Sequence, residues 1–318
     1  MVYKIIVALS LLLLSSLNIC LGSKGEIGIY WGQGVGEGSL NETCDTNNYN
    51  IVNIGFLSSF GAGRTPFLDL VDHCDPASNG CKFLSDEIKY CKSKGIKVLL
   101  SIGGPRVPRV GDYFLDSPDD AKKLAQYLWD NFLGGESESR PLGDERLDGI
   151  GFEIKQGLNQ YYDKLAMALW ELGEGAGQKV YLAAAPQCKF PDYYLHDAII
   201  TGLFDYVWVQ FYDTPSCQYD DDNGGAANLL YSWNNDWSII PAEKLFLGLP
   251  AVPIIGSISP DILISDVLPK INTTPKYGGV MLWNRYYDKI TNYSSIIKPY
   301  VSTLTQHYIT INLPSSSI

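Results

Sequence analysis

Apolar residues gather in eight short runs: Glu26–Trp31, Ile51–Ser58, Lys97–Ile102, Leu147–Ile154, Lys179–Ala184, Asp205–Phe211, Leu245–Leu249 and Tyr277–Trp283. Each is of strand length and rich in Val, Ile, Leu or aromatic residues, so each reads as a buried strand. Between them apolar positions recur at helical spacing, most clearly over Asp119–Phe132 (Leu124, Tyr127, Leu128) and Tyr161–Leu172 (Leu165, Leu169, Leu172). Asp86–Lys94, Ala226–Trp233, Asp261–Leu268 and Tyr293–Leu304 carry weaker versions of that pattern. Buried strands alternating with helices predict an α/β protein, a single closed (β/α)8 barrel whose active face lies at the C-terminal ends of its strands. The rival, an open doubly wound sheet, calls for a glycine-rich phosphate turn. Gly32-Gln33-Gly34-Val35-Gly36 has the glycines, but no Gly-Lys-Ser/Thr follows and no clear helix opens on it, so it reads as a loop at the barrel mouth.

The fourth run, continued to Leu147-Asp148-Gly149-Ile150-Gly151-Phe152-Glu153-Ile154-Lys155-Gln156-Gly157, carries the candidate chemistry. Period two puts Ile150, Phe152 and Ile154 on one face and Gly151, Glu153 and Lys155 on the other, as in a strand between an apolar layer and a polar cavity. The run resembles the signature of family 18 glycoside hydrolases, Asp-Gly-x-Asp-x-Asp-x-Glu, and in particular the hevamine-type class III chitinases of plants. Asp148 and Gly149 match it; Gly151, Glu153 and Lys155 stand at the second Asp, the third Asp and the final Glu, which is the family's acid catalyst. The likeness extends from about Gly25 to about Val301. It includes the strand ends Tyr30-Trp31-Gly32-Gln33, Ser101-Ile102-Gly103-Gly104, Gln210-Phe211-Tyr212 and Met281-Leu282-Trp283.

In this family the substrate's own 2-acetamido oxygen attacks the anomeric carbon. The resemblance implies that the final Glu protonates the leaving oxygen, the preceding Asp orients the acetamido group, and the Tyr ending the sixth strand helps hold it. Here those positions are Lys155, Glu153 and Tyr212, of which the tyrosine alone is unchanged. Losing a positioned general acid forfeits about 10²–10⁴-fold in rate. An ammonium is a weak acid near neutrality, and its charge opposes an oxocarbenium-like transition state by about 3 kcal/mol at ~5 Å and an effective dielectric of ~20. Hydrolysis is therefore expected to be absent or negligible. Two roles stay open for Lys155: a quiet ion pair with Glu153 that fills the space left by Gly151, or a ligand contact. None of the mature chain's His73, His196 and His307 stands at a strand end as an alternative catalyst.

The resemblance also implies that Tyr30, Gln33, Glu153, Gln210, Tyr212 and Trp283 contact sugar; the competing reading of the aromatics is barrel core. The expected ligand is an N-acetylglucosamine oligosaccharide. After the third strand the run Pro105-Arg106-Val107-Pro108-Arg109-Val110 departs from the family's flexible glycine, placing Arg106 and Arg109 at the mouth. That loop either narrows the cleft or presents a protein-binding surface, which motivates the alternative of an inhibitor of a secreted glycosidase such as a xylanase. A storage role and a residual endochitinase are the further alternatives.

Composition narrows the setting. A formal net charge of −11 argues against a nucleic-acid or anionic-membrane binder, and 46% hydrophobic with 19% charged residues marks a globular chain. Residues 1–22 read as a secretory signal peptide, with Lys4, the apolar Ile5–Leu14 and a small-residue cleavage site at Cys20-Leu21-Gly22. The barrel is expected over 23–305, and 306–318 read as a frayed tail or a removable sorting peptide. A secreted, extracellular monomer is expected, or a vacuolar one if the tail sorts it. Six cysteines remain after the signal peptide, an even count that suggests disulfides without fixing their pairing. The family resemblance implies Cys44–Cys91, Cys74–Cys81 and Cys188–Cys217. With no C-x-x-C pair and few histidines, neither a metal nor a cofactor is expected. Sequons at Asn41, Asn272 and Asn292 are candidate glycosylation sites.

Overall fold

A computed structural model of the chain describes residues 25–105, 112–222, 224–254 and 256–302. The signal peptide, Arg106, Arg109 and the tail lie outside the described residues. Eight parallel strands close into a barrel: β1 (Glu26–Trp31), β2 (Ile51–Ser59), β4 (Lys97–Gly103), β5 (Gly149–Glu153), β6 (Tyr181–Ala184), β7 (Tyr206–Gln210), β8 (Lys244–Pro250) and β9 (Tyr277–Trp283). Closure is made by β1, which pairs with β2 (Gly28 opposite Ile51) and with β9 (Glu26 opposite Gly279). All eight expected strands are present. A two-residue arm, β3 (Phe67–Leu68), adds antiparallel to β2 and was not expected, because two residues carry no period.

Strand boundaries moved for a local reason. Two carboxylates at the N-terminal edge replace ladder bonds: Asp148 Oδ2 accepts the Val98 N–H (2.8 Å) and Asp205 Oδ2 accepts the Leu182 N–H (2.9 Å). β5 and β7 therefore begin one or two residues later than their apolar runs. Helices span Leu84–Ser93, Pro118–Phe132 and Tyr162–Gly175, close to expectation, and the second is capped by Ser117, whose Oγ accepts the Asp120 N–H at 3.2 Å. Helices Leu40–Asp45, His196–Ile199 and Arg285–Thr291 were not anticipated; each is too short for its apolar spacing to stand out.

The alternation expected for β5 holds. Ile150, Phe152 and Ile154 belong to the apolar layer between barrel and helices, where the Phe152 ring meets Phe204 (5.3 Å) and Tyr162 (6.5 Å). The barrel interior is filled by a separate cluster that includes Tyr30, Phe56, Tyr206, Trp208, Phe246 and Met281. Gly149 is fixed by close approach, since a Cβ there would lie 1.9 Å from the Tyr181 carbonyl oxygen. Three disulfides staple the loops with the expected pairing, Cys44–Cys91, Cys74–Cys81 and Cys188–Cys217.

Candidate functional site at the barrel mouth

Polar side chains converge at the C-terminal ends of β5 and β7. Glu153, the last residue of β5, is buried, with 1% of its surface exposed. Its Oε1 accepts from Gln210 Nε2 at 3.2 Å and meets Lys155 Nζ at 3.1 Å. Lys155 lies just past the strand, its side chain half-buried, and its ammonium stands 6.0 Å from the centre of the Tyr212 ring. The lysine thus points into the mouth and pairs with the carboxylate, one half of its expected structural role. The three atoms nearest a Cβ built on Gly151 are Ser101 Oγ (3.6 Å), Asn53 Oδ1 (3.7 Å) and Trp208 Cζ2 (3.7 Å). Asn53 Oδ1, Ser101 Oγ and Gln210 Oε1 are buried and have no hydrogen-bond partner among the described residues. Buried polar atoms left so cost about 1–3 kcal/mol each, so this patch favours a polar guest.

Aromatic rings form the wall. Tyr30 and Trp283 stand 5.3 Å apart, Phe56 lies 5.8 Å from Tyr30 and 6.0 Å from Trp283, and Trp208 Nε1 donates to Tyr30 Oη at 3.2 Å. Burial, and after it the Glu153 carboxylate, push the Tyr30 and Tyr212 hydroxyls well above the ordinary tyrosine range. Both therefore remain proton-bearing donors throughout the physiological pH range. Trp283 is half-buried, so part of its ring is open to a ligand. Phe56 was hidden in the sequence because β2 is buried on both faces and shows no clean alternation. Tyr113, from a loop with no period, was missed as well. Its hydroxyl accepts the Lys155 N–H (3.0 Å) and donates to the Gly104 carbonyl (2.7 Å), tying the ends of β5 and β4 together.

Gln33 differs in kind from the others. Its amide nitrogen stands within hydrogen-bond distance of three backbone carbonyls, Gly55 in β2 (2.9 Å), Asp69 (3.1 Å) and Gly32 (3.2 Å), so its two N–H donors are engaged by the backbone. The glycine run beside it is equally occupied. Buried Glu37 accepts the N–H groups of Gly32 (2.6 Å) and Gly34 (3.1 Å) and meets His73 Nε2 at 2.8 Å. A carboxylate fills the cradle that a phosphate would need, in line with the reading of a mouth loop.

No three of His, Cys, Asp or Glu stand together as a metal site among the described residues, and none of the described helices is long and apolar enough to cross a membrane. Of the sequon asparagines, Asn292 is exposed between two helices, whereas Asn41 and Asn272 are half-buried.

The closed parallel barrel with its polar and aromatic residues at the C-terminal strand ends defines a (β/α)8 protein. The chain is a member of the glycosyl hydrolases family 18, whose pattern matches residues 26–255. It is 54% identical over 291 residues to an acidic endochitinase of Cicer arietinum, covering 90% of this chain and 96% of that one. Among solved structures it resembles the ICChI chitinase of Ipomoea carnea (63% identity, TM-score 0.83, 86% and 99% of the two chains). It also resembles the xylanase and α-amylase inhibitor XAIP-II of Scadoxus multiflorus (44%, TM-score 0.79, 87% and 98%) and a tamarind chitinase-like lectin (36%, TM-score 0.74, 86% and 98%).

Proposed function

We propose that this chain binds N-acetylglucosamine oligosaccharides at the barrel mouth without hydrolysing them. The carrying observation is the Lys155 ammonium 3.1 Å from Glu153, at the position where the family signature has its acid. The ion pair changes the balance of effects. A bare cation would oppose the oxocarbenium-like transition state by about 3 kcal/mol, but a carboxylate this close cancels much of that field beyond the pair. What remains is the absent proton donor, worth about 10²–10⁴-fold, and a carboxylate engaged by an ammonium instead of an acetamido group. Recognition is kept: the open part of Trp283 offers a stacking face, and the Tyr30 and Tyr212 hydroxyls and the Gln210 carbonyl offer hydrogen bonds. The tamarind lectin similarity supports binding without cleavage. Calorimetry with tri-N-acetylchitotriose should give saturable heat; none at millimolar ligand removes the reading.

The similarity to XAIP-II favours a second reading, inhibition of a secreted glycosidase. Retained xylanase activity in the presence of excess protein would reject it. With either reading go export after removal of residues 1–22, a monomer, and a glycan on the exposed Asn292.

A further inference from the structure

A second cleft opens on the same end of the barrel, between the loops that follow β5 and β6. Its volume is about 390 Å³ and its lining includes Asn159, Gln187, Lys189, Asp192, Tyr193 and Tyr194. That is the scale of a small-ligand site, roughly 300–1,000 Å³. The walls are braced. Buried Asp192 accepts the N–H groups of Leu195 (2.7 Å), Gln187 (3.0 Å) and Tyr194 (3.0 Å), and Asn159 Nδ2 donates to the Tyr193 carbonyl (3.1 Å), tying one loop to the other. On this braced frame Tyr193 is 68% exposed, its ring edge-to-face with Tyr194 at 4.8 Å.

A single exposed tyrosine means little. Here it stands on a cleft wall beside two amides, an ammonium, the His196 imidazole and two carboxylates, of which Asp192 is spent on backbone N–H groups, leaving Lys189 and Asp197 of opposite sign. That mixture supplies a stacking face together with donors and acceptors of both senses, which suits a neutral polyhydroxyl ligand better than an acidic or basic one. The cleft also adjoins the mouth: the Cys188 N–H donates to the Gln210 carbonyl (3.1 Å) and the Gln210 N–H to the Pro186 carbonyl (2.8 Å), setting Gln187 beside the residue that holds Glu153.

We propose that this cleft is an outlying saccharide subsite, with Tyr193 as its stacking platform, that receives the far end of an oligosaccharide seated at the mouth. It rests on the binding reading above, and the experiment separates the two. Calorimetry compares the trimer and hexamer of N-acetylglucosamine on the full chain and on Tyr193→Ala and Tyr193→Trp. The hexamer should bind about five- to tenfold tighter than the trimer, an advantage that Tyr193→Ala abolishes without altering trimer affinity and Tyr193→Trp retains. A hexamer that binds no tighter than the trimer, or an advantage that survives Tyr193→Ala, overturns the subsite alone. Binding of neither oligomer overturns the mouth reading and the subsite with it.

Discussion

At the N-terminal end of β5, Asp148 bonds the neighbouring strand through both its backbone and its carboxylate, and Gly149 sits where no Cβ fits. At the C-terminal end, Gly151 has room for one, three polar atoms near or along the same layers lack partners, and Glu153 is held by Lys155. These two ends are five residues apart and obey different constraints. The first is fixed by backbone geometry, so it matches the family signature whatever the chemistry. The second carries Gly151, Glu153 and Lys155, the residues on which the proposed lack of hydrolysis rests.

The largest effect should come from the mouth. The combined changes Gly151→Asp, Glu153→Asp and Lys155→Glu should raise chito-oligomer cleavage by about 10²–10⁴-fold, measured by release of a chromophore. No gain would mean that the groove no longer positions substrate. Next comes a pair of glycine changes. Gly149→Ala forces a Cβ against the Tyr181 carbonyl and should destabilise by about 3 kcal/mol in urea unfolding, whereas Gly151→Ala, with its nearest neighbours at 3.6 Å or more, should shift stability by less than about 1 kcal/mol. Equal costs would erase the contrast between the two ends.

Lys155→Met probes the ion pair. Removing one partner of a fully buried pair costs about 3–5 kcal/mol; with the Lys155 side chain 22% exposed and Gln210 still donating to Glu153, the cost should be about 1–3 kcal/mol. The smallest effect belongs to Asp148. Burial raises its carboxyl above the usual range against the pull of the Val98 N–H, so ionised Asp148 weakens the fold as pH rises through that value. Asp148→Asn keeps an acceptor for Val98 and should therefore compare best with the parent at neutral pH, losing that relative advantage as pH falls through the raised value and having lost it by ~4. The opposite slope in urea midpoints between pH 3 and 7 would contradict this.

The barrel was legible because eight runs of apolar residues leave few alternatives, and the inward and outward faces of β5 followed from its period. Tyr30, Gln210, Tyr212 and Trp283 were picked out by the family resemblance of their strand ends; the structure sets Gln210 on Glu153, brings Tyr30 and Tyr212 within its field, and places Trp283 against Tyr30. Other features left no one-dimensional trace. Disulfide pairing depended on resemblance, since six cysteines are compatible with many pairings. Gln33 was expected to contact a ligand; that its amide also reaches the Gly55 and Asp69 carbonyls, 22 and 36 residues away, left no mark in the sequence. Tyr113 bridges two strand ends from an irregular segment, and Asn53 and Ser101 come to face Gly151 only through the pairing of β2, β4 and β5.

In the proposed function Lys155 presents an ammonium where a proton donor would act, beside a mouth that binds sugar without cutting it. The most direct test is to incubate the unaltered chain with the N-acetylglucosamine hexamer at a concentration shown calorimetrically to saturate it, and to weigh the sugar by mass spectrometry. The expected result is a bound hexamer recovered intact; dimer, trimer or tetramer accumulating at even a thousandth of the rate of an active family 18 chitinase would contradict it.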